Sequence, residues 1–128
     1  MTVTKEWLAT QVRVDANKVI GRALMAIYKR QTQAEQQATT TKNQNGIGFS
    51  KPDARVGSIG ARMFMSHGRL DAWIIQRWTR PTKDGMPSIC KYAKQLDEIA
   101  EERRIKKLVE LNREGLTRIA NDLATLPV

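Results

Sequence analysis

The sequence predicts an all-α protein: a small helical bundle with long N- and C-terminal helices and a glycine-rich loop at 43–50. Three observations predict it. Apolar residues recur at helical spacing over 16–27, 89–100 and 105–123. Turn and capping signals punctuate these stripes at Asn45-Gly46, Ser50-Lys51-Pro52-Asp53 and RPTKDGMP. The 128 residues, 41% of them hydrophobic, are enough for one modest core.

Thr2 or Thr4 can cap a first short helix carrying Trp7, Leu8 and Val12. Asp15 either starts a new segment or sits inside a continuing helix. Ala16, Val19, Ile20, Ala23, Leu24 and Ile27 then form one stripe, with Lys18, Arg22, Lys29 and Arg30 off it. The threonine run at 39–41 and Asn45-Gly46 end this helix near residue 38. Ile47 and Phe49 alternate with Gly46 and Gly48, which fits an extended segment or a short hairpin. Ser50 and Asp53 stand at capping-box spacing with Pro52 in the first turn, so a helix starts here. It turns Val56, Ile59, Met63 and Phe64 inward, and Gly57 and Gly60 allow another backbone to approach. It ends at His67-Gly68.

Asp71 then caps a short helix with Trp73, Ile74 and Trp78 on one face, and Ser88 caps the last long element. Ile89, Tyr92, Ala93, Leu96, Ile99 and Ala100 make a clean stripe. A second stripe of Ile105, Leu108, Val109, Leu116, Ile119, Ala120 and Leu123 is out of phase with it by about 140°. Either the helix bends at 101–104, or one helix shows two apolar faces, the second for a partner or another copy of the chain. The expected organisation is a single domain over 1–128: N-terminal helices to 38, a core module at 43–100 and a helical extension at 101–128.

The 22 Lys and Arg exceed the 13 Asp and Glu, for a net charge of +9. Such an excess points to a polyanionic partner. It is densest in 41–70, where five basic residues face one acidic residue. The one cysteine, Cys90, allows no internal disulfide and fits a reducing compartment. No apolar run approaches the ~20 residues that cross a bilayer, and MTVTKEWLATQV lacks the order of a signal peptide. The expectation is a cytoplasmic protein without a membrane partner.

The residues offer little catalysis. His67, the lone histidine, precedes a glycine at a helix end and suits a C-terminal capping role. A helix start could lower the pKa of Cys90, but no histidine lies nearby in sequence to activate it. No Cys, His or carboxylate cluster suits a metal, and no cofactor fingerprint is complete. A non-enzyme without cofactor is expected.

What remains is a set of basic groups beside a glycine loop. Lys42, Lys51, Arg55, Arg62 and Arg69 fall within one short segment. Arg55 and Arg62 are two turns apart on one helix face, and Arg69 extends the line if the helix lasts. Loop amides and the helix start could add phosphate contacts. Lys18, Arg22, Lys29 and Arg30 could help. Arg77 and Trp78 are candidates for base contact, since Trp73 and Trp78 diverge by about 140° and one of them can face solvent. Gly46, Gly48, Phe49, Ser50 and Asp53 are read as structural: two turn glycines, a core plug and a helix cap.

The strings RALMAIYKRQTQAEQ (22–36), NQNGIGFSKPDARVGSIGAR (43–62), GRL (68–70), Gln76 and KYAKQLDEIA (91–100) resemble a small module common in phage and plasmid proteins. That module stands alone in small proteins of mobile elements and is appended to some phage helicases. The resemblance spans about residues 18–100. The module often has a lysine-rich run before Lys-Tyr, where this chain has RWTRPTKDGMPSICKY. The resemblance implies a phage or plasmid origin, hence host-cell cytoplasm, and DNA-linked work by association. The sequence-level expectation is therefore a nucleic-acid-binding protein, with single strands favoured because no helix-turn-helix reader is evident. The alternative is a protein-interaction module acting on a host defence or transcription factor, or self-associating through 105–123.

Overall fold

A computed structural model describes residues 2–37 and 47–125. Thr4 starts the first helix, α1 (Lys5–Val14): its hydroxyl accepts a hydrogen bond from the Trp7 amide at 3.1 Å. Asp15 ends α1, its amide donating to the Gln11 carbonyl, and opens α2 (Ala16–Gln37). Its carboxylate accepts from the Lys18 amide at 3.1 Å, the capping bond of a new helix. Asp15 is thus a joint between two helices. α2 buries Ile20, Leu24 and Ile27 completely, as its stripe predicts.

Ser50 and Asp53 do not form the expected capping box. A single 3-10 turn, Lys51–Asp53, precedes α3 (Ala54–His67), and neither Ser50 nor Asp53 makes a side-chain capping bond. The Asp53 side chain is engaged elsewhere. α3 ends where Gly68 takes a left-handed φ of 71° and donates its amide to the Phe64 carbonyl at 2.8 Å. Gly68, rather than the exposed His67, supplies that C-terminal cap. α4 (Ala72–Thr79) follows, then the turn Pro81–Pro87, whose two prolines form an isolated bridge. Ser88–Tyr92 is a second 3-10 segment, where the Ser88 hydroxyl donates to the Arg77 carbonyl instead of capping a helix. α5 (Ala93–Ala124) is one uninterrupted helix through Glu101–Arg104 and past Gly115. No strand occurs among the described residues, and of the hairpin considered at 43–50 only 47–50 fall within them.

The chain divides into two compact units, 1–97 and 98–128. The first holds the core: Leu8 and Val12 from α1, the α2 stripe, Phe49, Ala61, Leu70, Ile74, Trp78, Ile89, Cys90, Tyr92 and Leu96. α2 and α3 pack along glycines. A methyl group on Gly60 would lie 2.6 Å from Leu24 Cδ1, and one on Gly57 would lie 2.5 Å from the Phe49 ring. The face of α3 buried deepest is therefore Gly57, Gly60 and Ala61, with Val56, Ile59, Met63 and Phe64 only half-buried beside it. The glycines admit neighbouring side chains, not a backbone. The Asn17 side chain closes the far end of the α2–α3 pair, accepting from the Leu70 amide at 3.0 Å. Burial pushes the Cys90 thiol pKa up, aided by the Asp84 carboxylate, so Cys90 is a core residue.

Gly57→Ala tests this packing. Alanine favours a helix interior over glycine by ~1 kcal/mol, but overpacking a filled core costs ~1–3 kcal/mol. The buried Phe49 ring has little room to yield, so the variant should lose stability in urea unfolding. A gain would show that Phe49 is free to move.

Candidate nucleic-acid interface

The segment 48–53 is bonded to several other parts of the first unit. Gly48, at φ 82°, donates its amide to Gln95 Oε1, and Gln95 Nε2 donates back to the Gly48 carbonyl, both at 2.8 Å. The Phe49 amide donates to Gln31 Oε1 at 3.0 Å, and the Ser50 amide to the Tyr92 hydroxyl oxygen at 3.0 Å. Three consecutive amides are thus taken by side chains from α2, the second 3-10 segment and α5. They are not available to cradle a phosphate, which corrects the expectation for this loop. Phe49 does plug the core, in a triangle with Trp78 and Tyr92 whose ring centroids lie 5.8–6.1 Å apart.

Asp53 closes the segment. The residue is 2% exposed. It accepts from Arg77 Nη2 at 2.7 Å, from the Tyr92 hydroxyl at 2.6 Å and from the Ser50 hydroxyl at 3.1 Å, and it pairs with the Lys91 ammonium. Burial alone would raise its pKa. The Lys91 and Tyr92 hydrogen bonds, the Lys91 charge and Ser50 outweigh burial and hold it below the ordinary carboxylate value. Tyr92 is pushed up to about 12, first by burial and then by its bond to the Asp53 carboxylate.

These contacts sort the expected site residues. Trp78 is fully buried, so it cannot stack on a base; Trp73, 50% exposed, is the solvent-facing tryptophan of α4. Arg77 is half-buried, bonded to Asp53, and lies 4.9 Å over the Trp78 ring. Its role is structural. Lys51, Arg55, Arg62 and Arg69 are all exposed. α3 ends before Arg69, so the ridge on that helix consists of Arg55 and Arg62 alone, ~10 Å apart along the axis. Lys42 and Gly46 lie outside the described residues.

A second ridge runs along α2. Lys18, Arg22 and Lys29 are exposed and spaced by four and seven residues, within about 40° of one another and opposite the buried Ile20. Arg30 does not belong to it: it is half-buried and donates to the Gln95 carbonyl. α3 contains no acidic residue. Among the described residues, no ion pair engages Lys18, Arg22, Lys29, Arg55 or Arg62. Asp53 does not offset the ridges, because Arg77 and Lys91 already neutralise it. Residues 1–97 hold sixteen basic and seven acidic groups, while 98–128 hold six of each. The whole excess of +9 therefore belongs to the first unit. Among the described residues, no cluster of three or more His, Cys, Asp or Glu could hold a metal, and no helix is long and apolar enough to cross a membrane.

Gln31, Lys91, Tyr92 and Gln95 are the site-building residues that sequence reasoning did not assign. Lys91, Tyr92 and Gln95 stand in the Lys-Tyr-Ala-Lys-Gln string, which signalled a pattern without a contact. Two outcomes follow from their geometry. Asp53→Ala should cost about 2–3 kcal/mol, less than a sealed ion pair because Lys91 and Arg77 keep access to water. Because the folded Asp53 pKa is depressed, its stabilisation is whole above pH ~4 and is lost as the pH falls through the lowered value. Tyr92 works the other way: its contribution is whole below pH ~10 and is lost as the pH rises towards about 12. In a profile of Tm against pH, Asp53→Asn should flatten the acid limb and Tyr92→Phe the alkaline limb; unchanged limbs would place the controlling titrations elsewhere. Compared with family models, curated proteins and solved structures, the chain finds no match.

Proposed function

We propose that residues 1–97 bind the phosphate backbone of nucleic acid, without catalysis, through the ridges on α2 and α3. The observation that carries this reading is the exposure of Lys18, Arg22, Lys29, Arg55 and Arg62, without ion-pair partners among the described residues. An unpaired cation on a rigid helix holds its charge at a fixed position and releases counterions from the nucleic acid when it docks. Lys51 and Arg69 flank α3 and add charge at its two ends. The resemblance of 43–62 and 91–100 to a module of mobile-element proteins is the sequence argument for the same reading. Single strands are the favoured substrate, with Trp73 taking the stacking role first expected of Trp78.

The test is fluorescence anisotropy with labelled single-stranded DNA, duplex DNA and RNA across a salt series. Log affinity should fall linearly with log salt, and Arg55→Glu with Arg62→Glu should shallow that slope by about 2. Trp73→Ala should weaken single-strand binding by ~1–3 kcal/mol and leave duplex binding unchanged. Absence of binding at low salt by the folded protein would refute the reading.

A further inference from the structure

The second unit poses a separate problem. Ile105, Leu108, Val109, Leu111, Leu116, Ile119 and Leu123 are 50–69% exposed on one helix. All residues described from 100 to 125 are exposed except Gly115, which is half-exposed. An isolated helix gains little stability in water unless an apolar face is covered.

The spacing identifies what covers it. Ile105, Val109, Asn112, Leu116, Ile119 and Leu123 are separated by four, three, four, three and four residues. This is the alternation of core layers in a coiled coil, with Ile105, Asn112 and Ile119 at d and Val109, Leu116 and Leu123 at a. Leu108 falls at a flanking g position and widens the seam; Leu111 lies off it. Within 98–128 the six acidic and six basic residues cancel, so like segments do not repel as the first unit would.

We propose that this stripe is covered by the same stripe of further copies of the chain, side by side and parallel. The direction follows from the flanking charges. In a parallel array Glu101 at g, which within its own chain accepts from Arg104, faces the second copy's Lys106 at e, an attractive pair. The antiparallel alignment of the same six layers sets Arg113 against the second copy's Arg113. Asn112, in the d layers, meets its own counterpart only in the parallel register, the arrangement in which a buried polar residue fixes alignment. Leucine at a with isoleucine at d points to more than two strands. This inference is independent of the nucleic-acid reading.

The experiment is sedimentation equilibrium on the full chain over a wide concentration range. The mass should rise from 14.5 kDa to a multiple of it. Leu116→Glu with Ile119→Glu should hold it at the single-chain value, with the near-ultraviolet signal of buried Trp78 unchanged. Asn112→Cys should form a reducible cross-link between copies under mild oxidation, which Cys90, buried in the first unit, cannot mimic. A single-chain mass at every concentration would overturn the proposal. Self-association without the 112–112 cross-link would overturn its parallel register.

Discussion

The buried carboxylate of Asp53 is the constraint on which the first unit depends. Placing a carboxylate at 2% exposure costs several kcal/mol unless donors surround it. Here Ser50, Arg77, Lys91 and Tyr92 supply them, and they come from the loop itself, α4 and the 3-10 segment before α5. One side chain therefore fixes three parts of the chain that are far apart in sequence. Its demands also explain why the start of α3 departs from a capping box. A carboxylate satisfied by four side chains is not spent on the backbone amides of its own helix.

The loop geometry follows. Once Asp53 and Tyr92 are joined, the Tyr92 oxygen is placed to accept from the Ser50 amide, and Gln95, three residues on, meets Gly48. Phe49 is drawn between Trp78 and Tyr92, and Gly57 leaves room for its ring. Buried amides that find side-chain acceptors avoid the penalty of an orphaned donor, ~1–3 kcal/mol each. The same lock withdraws Arg77 and Lys91 from the surface charge. Lys18, Arg22 and Lys29 on α2 and Arg55 and Arg62 on α3 stay exposed, and the proposed backbone grip rests on them.

Much of this was legible in the sequence. Most helix positions followed from apolar periodicity, although whether 5–37 and 93–124 each held one helix or two was left open. The exposed ridge of Arg55 and Arg62 followed from their spacing of seven. The hub was not legible. Ser50-Lys51-Pro52-Asp53 satisfies a local capping rule, and nothing local reveals that Arg77 and Tyr92, 24 and 39 residues away, outbid it. Trp78 illustrates the same limit. The divergence of Trp73 and Trp78 allowed one tryptophan to face solvent, and Trp78 was the one expected; that it is Trp73 depends on Phe49 and Tyr92, contacts of long range. For 105–123 the sequence left open a bend or a second face; α5 is continuous through 101–104, and the second stripe is exposed along it.

The most direct test of the account is native-state hydrogen exchange at the amides of Gly48, Phe49 and Ser50. If Gln95, Gln31 and Tyr92 hold these amides and Asp53 anchors the segment, all three should exchange only with global unfolding, as slowly as the buried centre of α2. Exchange at the rate of an open loop would contradict the account. The segment would then be free to meet a ligand, and the fold would have to be held together by something other than Asp53.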